Sequence, residues 1–253
     1  EIRIPKVKPN KNLEEIVKGY KDFIKKAIDH EKASKLYNTI RIKDVSSKDI
    51  EDFSLMLGKY QQLENFTNSG FYLSRLINVS KDDEFTIYTN YLDSLIDYLG
   101  YKNTKNITIN GNAGDWVGDS MESGEITING NARNEVGYSM NNGTITVNGN
   151  AGWNVGYYMK DGTITINGNA GDWVGDSMNN GTIIVNGNAG NFVGYSMNNG
   201  TITVNGNAKS LVGDGMKGGT IHFNKDYESL SDNINGGNIC YKNKLIVKDG
   251  RRV

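Results

Sequence analysis

From residue 107 onward, branched apolar residues return every 19 positions. Ile107, Ile126, Ile145, Ile164, Ile183, Ile202 and Ile221 keep that step, as do Ile109, Ile128, Val147, Ile166, Val185, Val204 and Phe223. A short fixed period marks a solenoid, in which each repeat buries its apolar side against its neighbours. The unit reads TITINGNAGDWVGDSMNNG from Thr163 to Gly181. Ile164 and Ile166 alternate with Thr163 and Thr165, the period of a strand with one inward face. Asn167-Gly168, Gly171, Gly175 and Asn180-Gly181 then break the chain, the first pair being suited to the positive φ angles of a tight turn. No stretch between these breakers is long enough for a helix. Strand-and-turn rungs stacked at about 4.8 Å give a parallel β-helix. About seven 19-residue rungs are expected, the last two degenerate: Lys225 and Asp232 replace glycines, and Ile221 to Ile239 is a step of 18. Decay suits an end rung, which must cap an open sheet edge. Leu245-Ile246-Val247 predicts one more strand there.

Residues 1–104 follow another pattern. Leu13, Ile16, Val17, Tyr20, Phe23, Ile24, Ala27 and Ile28 recur at helical spacing and predict one amphipathic helix over 12–35. Ser46 with Asp49 predicts the cap of a second helix reaching about Gln62, with Phe53, Leu55, Met56, Tyr60 and Leu63 as its buried stripe. Leu92, Leu95, Ile96 and Leu99 predict a third helix, and alternation at Ile40–Ile42 and Phe85–Ile87 suggests short strands. The fold class is therefore α+β in two modules: an α-rich capping module, 1–104, followed by a β-helix, 105–253. A cap has a physical task, since an open β-helix end presents unpaired backbone groups and invites aggregation.

Comparing repeat with repeat separates constant slots from variable ones. Asn110, Asn112, Ala113, Val117-Gly118 and Met121 each recur through the first six rungs. The Ile, Val, Ala and Met columns are expected to fill the coil, and the Asn columns to form ladders bonding neighbouring turns. The methionine column reads as flexible core filler rather than a soft-metal site. The Gly111, Gly114, Gly118 spacing is not a phosphate loop, because no helix follows it. Function is sought in the variable slots. One runs Asp115, Asn134, Trp153, Asp172, Asn191, Ser210; the next runs Trp116, Glu135, Asn154, Trp173, Phe192, Leu211. After the Val-Gly pair come Asp119, Tyr138, Tyr157, Asp176, Tyr195 and Asp214. If Val117 faces inward, its neighbour Trp116 faces outward. The interaction candidates are accordingly Trp116, Trp153, Trp173, Phe192, Tyr138, Tyr157 and Tyr195. Outward aromatics on a rigid surface mark a docking site, or they pack against the N-terminal module of the same chain; both readings stand. Rungs 1 and 4 repeat one another from Ile107 to Met121 and from Ile164 to Met178.

The recurring G-x-x-G-x-x-x-G pattern, as in Gly111, Gly114, Gly118 and Gly168, Gly171, Gly175, resembles the GXGXG β-helix family. That family includes the C-terminal domain of the glutamate synthase large subunit and one subunit of formylmethanofuran dehydrogenase from methanogens, the wording of the repeat being closest to the second. The resemblance covers roughly residues 105–240. It implies a right-handed β-helix, an archaeal-like origin and a scaffold that holds catalytic parts together without cofactor ligands. The family motif contains no catalytic residue to carry over. Arg133 and Lys209 depart from it by occupying a glycine slot.

Composition narrows the function further. The 28 basic and 29 acidic side chains leave a net charge of -1, with small basic clusters only at Lys6–Lys8 and Arg251-Arg252, so nucleic acid is not an expected partner. No run is apolar enough to span a membrane, and no signal peptide is visible. The chain begins at Glu1 rather than Met, which points to a trimmed terminus. The single cysteine, Cys240, excludes an intramolecular disulfide, fits a reducing cytoplasm and reads as a small buried filler. His30 and His222 fall in different modules, giving no zinc site and no Cys-His nucleophile. Asp119, Asp176 and Asp214 are two or three rungs apart, too far to work as paired carboxylates. No catalytic, cofactor-binding or metal-binding residue is assigned, and no activity of its own is expected. The expected function is a cytoplasmic, non-catalytic scaffold with a protein partner, either an enzyme subunit or a second copy. One alternative is a genuine subunit of a formylmethanofuran dehydrogenase or glutamate synthase complex. A second is binding of ice or carbohydrate by outward rows such as Thr144-Ile145-Thr146, Thr163-Ile164-Thr165 and Thr201-Ile202-Thr203, which Glu125, Ile184 and His222 interrupt.

Overall fold

Each repeat begins with four or five residues that alternate between burial and partial exposure, and this alternation fixes the sheet. In the computed structural model, which describes residues 7, 8 and 10–253, these segments are β2 (Asn106–Asn110), β3 (Glu125–Ile128), β4 (Thr144–Val147), β5 (Thr163–Ile166), β6 (Thr182–Val185), β7 (Thr201–Val204) and β8 (Thr220–Phe223). Each pairs in parallel with the next, Ile107 on Ile126 and Ile145 on Ile164, so like residues stack in columns. The Ile, Val and Met columns are buried to 0% exposure over most of their length, and the alanine column is also buried. A one-residue slip would turn every isoleucine outward, so burial of one face holds the register. Backbone pairing continues outside the strands: Gly156 N–H donates to Val136 at 2.9 Å and Asn154 N–H to Asp172 at 2.9 Å. The perimeter of the coil is thereby satisfied rung by rung.

Both asparagine ladders form. Asn148 Nδ2 donates to Asn129 Oδ1 at 2.8 Å, and equivalent bonds run from Asn110 to Asn224. In the second ladder the side chain accepts from backbone, as Asn169 N–H to Asn150 Oδ1 at 2.8 Å. The expected Asn-Gly tight turn does not form. Neither Asn167 nor Gly168 has positive φ. Glycine is required there by close approach instead: a Cβ on Gly168 would lie 2.4 Å from Asn150 Oδ1.

The sheet starts earlier than the 19-residue step suggests. β1 (Glu84–Tyr88) pairs in parallel with β2, Phe85 on Ile107, a step of 22. The anticipated strand at Phe85–Ile87 is therefore present, whereas Ile40–Ile42 is not a strand. The anticipated helix at Leu92–Leu99 is absent; this segment turns the corner of the first rung, with Ile96 and Leu99 buried. The chain end follows expectation and adds to it. β9 (Asn238–Tyr241) continues the parallel stack, and then β10 (Lys244–Lys248) and β11 (Arg251–Arg252) return antiparallel. Positive φ at Lys242 and Asn243, and again at Asp249 and Gly250, gives two-residue hairpin turns. The outermost strand is two exposed arginines, short and charged as a solvated edge should be. Cys240 is not a buried filler: it lies half-buried on the outward side of β9, register partner of His222.

The N-terminal helices are α1 (Lys11–Lys26), α2 (His30–Tyr37), α3 (Ser47–Met56) and α4 (Ser69–Val79). The single helix expected over 12–35 is broken. Asp29 turns extended and caps α2 by accepting from Lys32 N–H at 2.8 Å, which leaves Ile28 exposed. α3 starts as expected, with Ser46 and Asp49 in a reciprocal capping box. It gives way at Met56 to a 3-10 turn through Tyr60, and Leu63 is exposed rather than part of the stripe. α4 has no sequence stripe because it is buried nearly all round, Phe71, Tyr72, Leu73, Leu76 and Ile77 all lying inside. It closes the coil. Ser74 Oγ donates to the Tyr98 carbonyl and accepts from Gly100 N–H at 2.9 Å, while Asp97 N–H donates to Thr67 O at 2.9 Å. Helices and coil share one continuous apolar core. Of the basic cluster at Lys6–Lys8, Lys6 lies outside the described residues. Among the described residues, no helix is long and apolar enough to cross a membrane.

Candidate functional site

The variable slots lie together on one side of the coil because two turns per rung project them there. Each rung places a bulky residue in the left-handed region just before the inward valine: Trp116 (φ 58), Glu135 (φ 61), Asn154 (φ 58), Trp173 (φ 59), Phe192 (φ 60) and Leu211 (φ 61). That conformation is uncommon for large side chains. It is maintained by rung-to-rung bonds from the same residues, such as Trp173 N–H to Asn191 O at 2.9 Å.

The preceding slot is largely structural. Asp115 Oδ1 accepts from Asn134 N–H, and Asp172 Oδ1 from Asn191 N–H, each at 2.8 Å. Trp153 stands in this slot, and its indole turns outward, 49% exposed. It begins an open aromatic ladder. Trp153 and Trp173 have centroids 6.2 Å apart, Trp173 stacks on Phe192 at 5.7 Å and 5°, and Tyr195 meets Phe192 edge-on at 6.0 Å. Exposed Leu211 follows. Trp153, Trp173, Phe192 and Tyr195 thus form one strip along the coil axis, away from the helices.

Trp116, Tyr138 and Tyr157 lie on the same side but nearer the helices, in a cleft of about 310 Å³ between α2 and the first rungs. Trp116 is half-buried and lies parallel to Tyr98, 4.9 Å away at 3°. Phe71 of α4 stacks on the far side of Tyr98 at 4.2 Å. His30, first residue of α2, faces both Tyr98 and Trp116 at 6.3 and 6.4 Å. Tyr138 meets Tyr157 edge-on at 5.5 Å, and Tyr157 stacks on exposed Tyr158 at 4.1 Å. Two carboxylates complete the lining. Glu135 Oε2 accepts from the Trp116 indole at 2.7 Å, and Asp119 Oδ1 accepts from Ser120 Oγ at 2.7 Å. Burial pushes Asp119 up from 3.8 to about 6, against the pull of Ser120 and Lys102; burial also raises Glu135.

Sequence reasoning named the three solenoid aromatics of this cleft. It missed His30, Phe71, Tyr98 and Tyr101, which reach the cleft only through the packing of the helices. Glu135 carried a signal, as the only acid in its column. The outward threonines are half-buried and stack in register, with Ile184 and His222 interrupting the middle row. Among the described residues, no three His, Cys, Asp or Glu side chains converge as metal ligands.

No family model matches the sequence, and no curated protein is significantly similar to it. A similar fold occurs in a solved structure, in a chain of the formyltransferase/hydrolase complex (FhcABCD) from Methylorubrum extorquens, determined in complex with methylofuran. The two chains are 30% identical with a TM-score of 0.51, over 60% of this chain and 59% of that one. This chain is therefore similar in fold and sequence to part of a component of a multi-protein complex.

Proposed function

We propose that this chain is a non-catalytic β-solenoid scaffold of the GXGXG type, which docks a protein partner along the open ladder of Trp153, Trp173, Phe192 and Tyr195. The observation that carries the reading is the 30% identity to a chain of a multi-protein complex. The ladder supplies the surface: rigid aromatics at interfaces contribute large contact area at small entropic cost. On this reading residues 1–104 serve first as the cap of the coil, and the protein works in a reducing cytoplasm. The partner is an enzyme component of a formyltransferase- or formylmethanofuran-handling assembly, of which this chain would be one member.

The test is affinity purification of the tagged chain from its native source, beside a Trp153→Ala/Trp173→Ala variant. The expected result is a stoichiometric partner that the variant loses while keeping its fold. A chain that migrates alone, or a partner retained in full by the variant, would refute the docking assignment.

A further inference from the structure

Among the described residues, the cleft under α2 sets two carboxylates, Asp119 and Glu135, among stacked rings, whereas Asp176 further along the aromatic side stands as a single carboxylate beside Tyr157. The column of Trp116, Trp173, Phe192 and Leu211 is apolar apart from Asn154 and one acid, Glu135. Asp119 follows three positions on, after the Val-Gly pair, in a column where the next two rungs carry Tyr138 and Tyr157. The cleft's own bases are few. Lys102 lies over the Tyr101 ring, 5.4 Å from its centroid, and His30 is at the mouth. Asp97 and Asp115 add negative charge behind Tyr98, with Arg133 3.7 Å from Asp115.

We propose that this cleft binds a small alkylated ammonium ion, of the choline or tetramethylammonium kind, against the rings of Trp116, Tyr138 and Tyr157 and the Asp119 and Glu135 carboxylates. Ring faces attract such a cation through their quadrupole, and the attraction grows where water is excluded. An anion would meet two carboxylates. A neutral apolar guest would desolvate both carboxylates further without supplying a counter-charge, which is costly. A hard metal ion needs several oxygen ligands, and among the described residues no three His, Cys, Asp or Glu side chains converge as metal ligands. A primary ammonium directs three N–H donors, and with one oxygen of each carboxylate already engaged by Ser120 Oγ or the Trp116 indole it must draw on the other two oxygens and the tyrosine hydroxyls of the lining. An ion without N–H groups asks only for charge and apolar surface, and the cleft supplies both.

The chain contains its own control. Residues 164–178 repeat residues 107–121 without change, so Trp173, Asp176 and Ser177 reproduce Trp116, Asp119 and Ser120. At that copy the following rung presents Phe192 in place of Glu135, and the cleft under α2 does not extend to it. Binding is therefore expected at the first copy alone.

The experiment is isothermal titration of the full chain with tetramethylammonium and choline chlorides, and with 3,3-dimethyl-1-butanol as the neutral isostere of choline. One saturable site is expected, with the alcohol at least about tenfold weaker. Glu135→Gln, which keeps the shape and an acceptor for the indole, should weaken both cations about tenfold, and Asp176→Asn should leave them within about twofold. Circular dichroism of each variant separates lost binding from lost fold. No saturable binding up to roughly 10 mM, equal affinity for the alcohol, or equal losses in Glu135→Gln and Asp176→Asn would each overturn the proposal.

Discussion

Replacing Gly156 by alanine tests how the interior of the coil is built. Gly156 follows the inward Val155 in a central rung and has φ +73. A Cβ there would stand 2.4 Å from Cδ1 of Ile183, which is fully buried. The same contact recurs at Gly137 with Ile164 and at Gly175 with Ile202, so the paired glycine and isoleucine columns describe one packing relation. Two costs add. Left-handed backbone costs a residue with a Cβ about 1–2 kcal/mol, and overpacking a filled core costs about 1–3 kcal/mol. The variant should lose about 2–5 kcal/mol. The two costs separate in a double-mutant cycle. Ile183→Val removes the Cδ1 methyl at a cost of its own of about 0.5–1.5 kcal/mol. In the double variant the backbone cost remains and the steric cost goes, so a favourable coupling equal to that steric cost, about 1–3 kcal/mol, is expected. Solenoid rungs contact only their neighbours and need not unfold together. The assay is therefore urea unfolding followed by hydrogen exchange of the amides in residues 155–185. A Gly156→Ala loss below about 0.5 kcal/mol, or coupling near zero, would refute the reasoning.

Three further outcomes follow from the geometry. Asp119→Asn should stabilise the protein near neutral pH and not in acid. The folded carboxyl titrates at about 6 against an ordinary 3.8, so the contribution favouring the folded state is complete below the ordinary value and lost as pH rises through about 6; above that, ionisation costs up to about 2–3 kcal/mol. Urea unfolding near pH 8 and pH 4 checks this, and a gain of equal size at both would contradict it. Asn167→Ala removes the donor to Asn148 and the acceptor for Asn186, each at 2.8 Å but solvent-exposed; a loss of about 1 kcal/mol is expected, and a loss beyond about 3 kcal/mol would mean the ladder carries more than its hydrogen bonds. Asp29→Ala should loosen α2 by about 1 kcal/mol, read as faster amide exchange at Lys32, whose N–H donates to the Asp29 carboxylate at 2.8 Å; unchanged exchange would mean that packing, not the cap, starts this helix.

The solenoid was legible because two periods coincide in it. A period of two within each strand chooses the inward face, and a step of 19 aligns that face from rung to rung, so β2 to β8 admit one register. The helices carried weaker signals. At Leu92–Leu99 the apolar spacing satisfies a helix, but Gly100 with φ +76 and the demand for a closed first rung bend this segment into a corner. α4 left no stripe to read, since a helix buried on all sides loses the periodicity that identifies it. Asp29 was the one visible warning that 12–35 is two helices. In the aromatic face, the column positions followed from alternation around Val117, but the division into an open ladder and a closed cleft did not. That division depends on where α2 and α4 lie against the first rungs, a contact between segments far apart in sequence.

Residues 107–121 and 164–178 separate what local sequence determines from what surroundings determine. Their fifteen residues are the same, and so is the backbone of their aromatic turns: Trp116 and Trp173 have φ 58 and 59, and Gly118 and Gly175 φ 71 and 72, although Gly111 takes φ +130 and its copy Gly168 no positive φ. Asp119 and Asp176 also accept the same 2.7 Å bond from the following serine. Their chemistry nevertheless differs. Trp116 is stacked on Tyr98 and bonded to Glu135, whereas Trp173 joins an open ladder with Trp153 and Phe192. Both carboxyls are raised by burial, and Asp119 far enough to titrate at about 6. At this turn the repeat therefore specifies shape, while its neighbours specify environment. In a uniform coil, function is expected where that uniformity is broken from outside, and here the N-terminal helices break it over the first rungs. The cap that closes the coil is thus also the element that turns one copy of a repeated surface into a cleft.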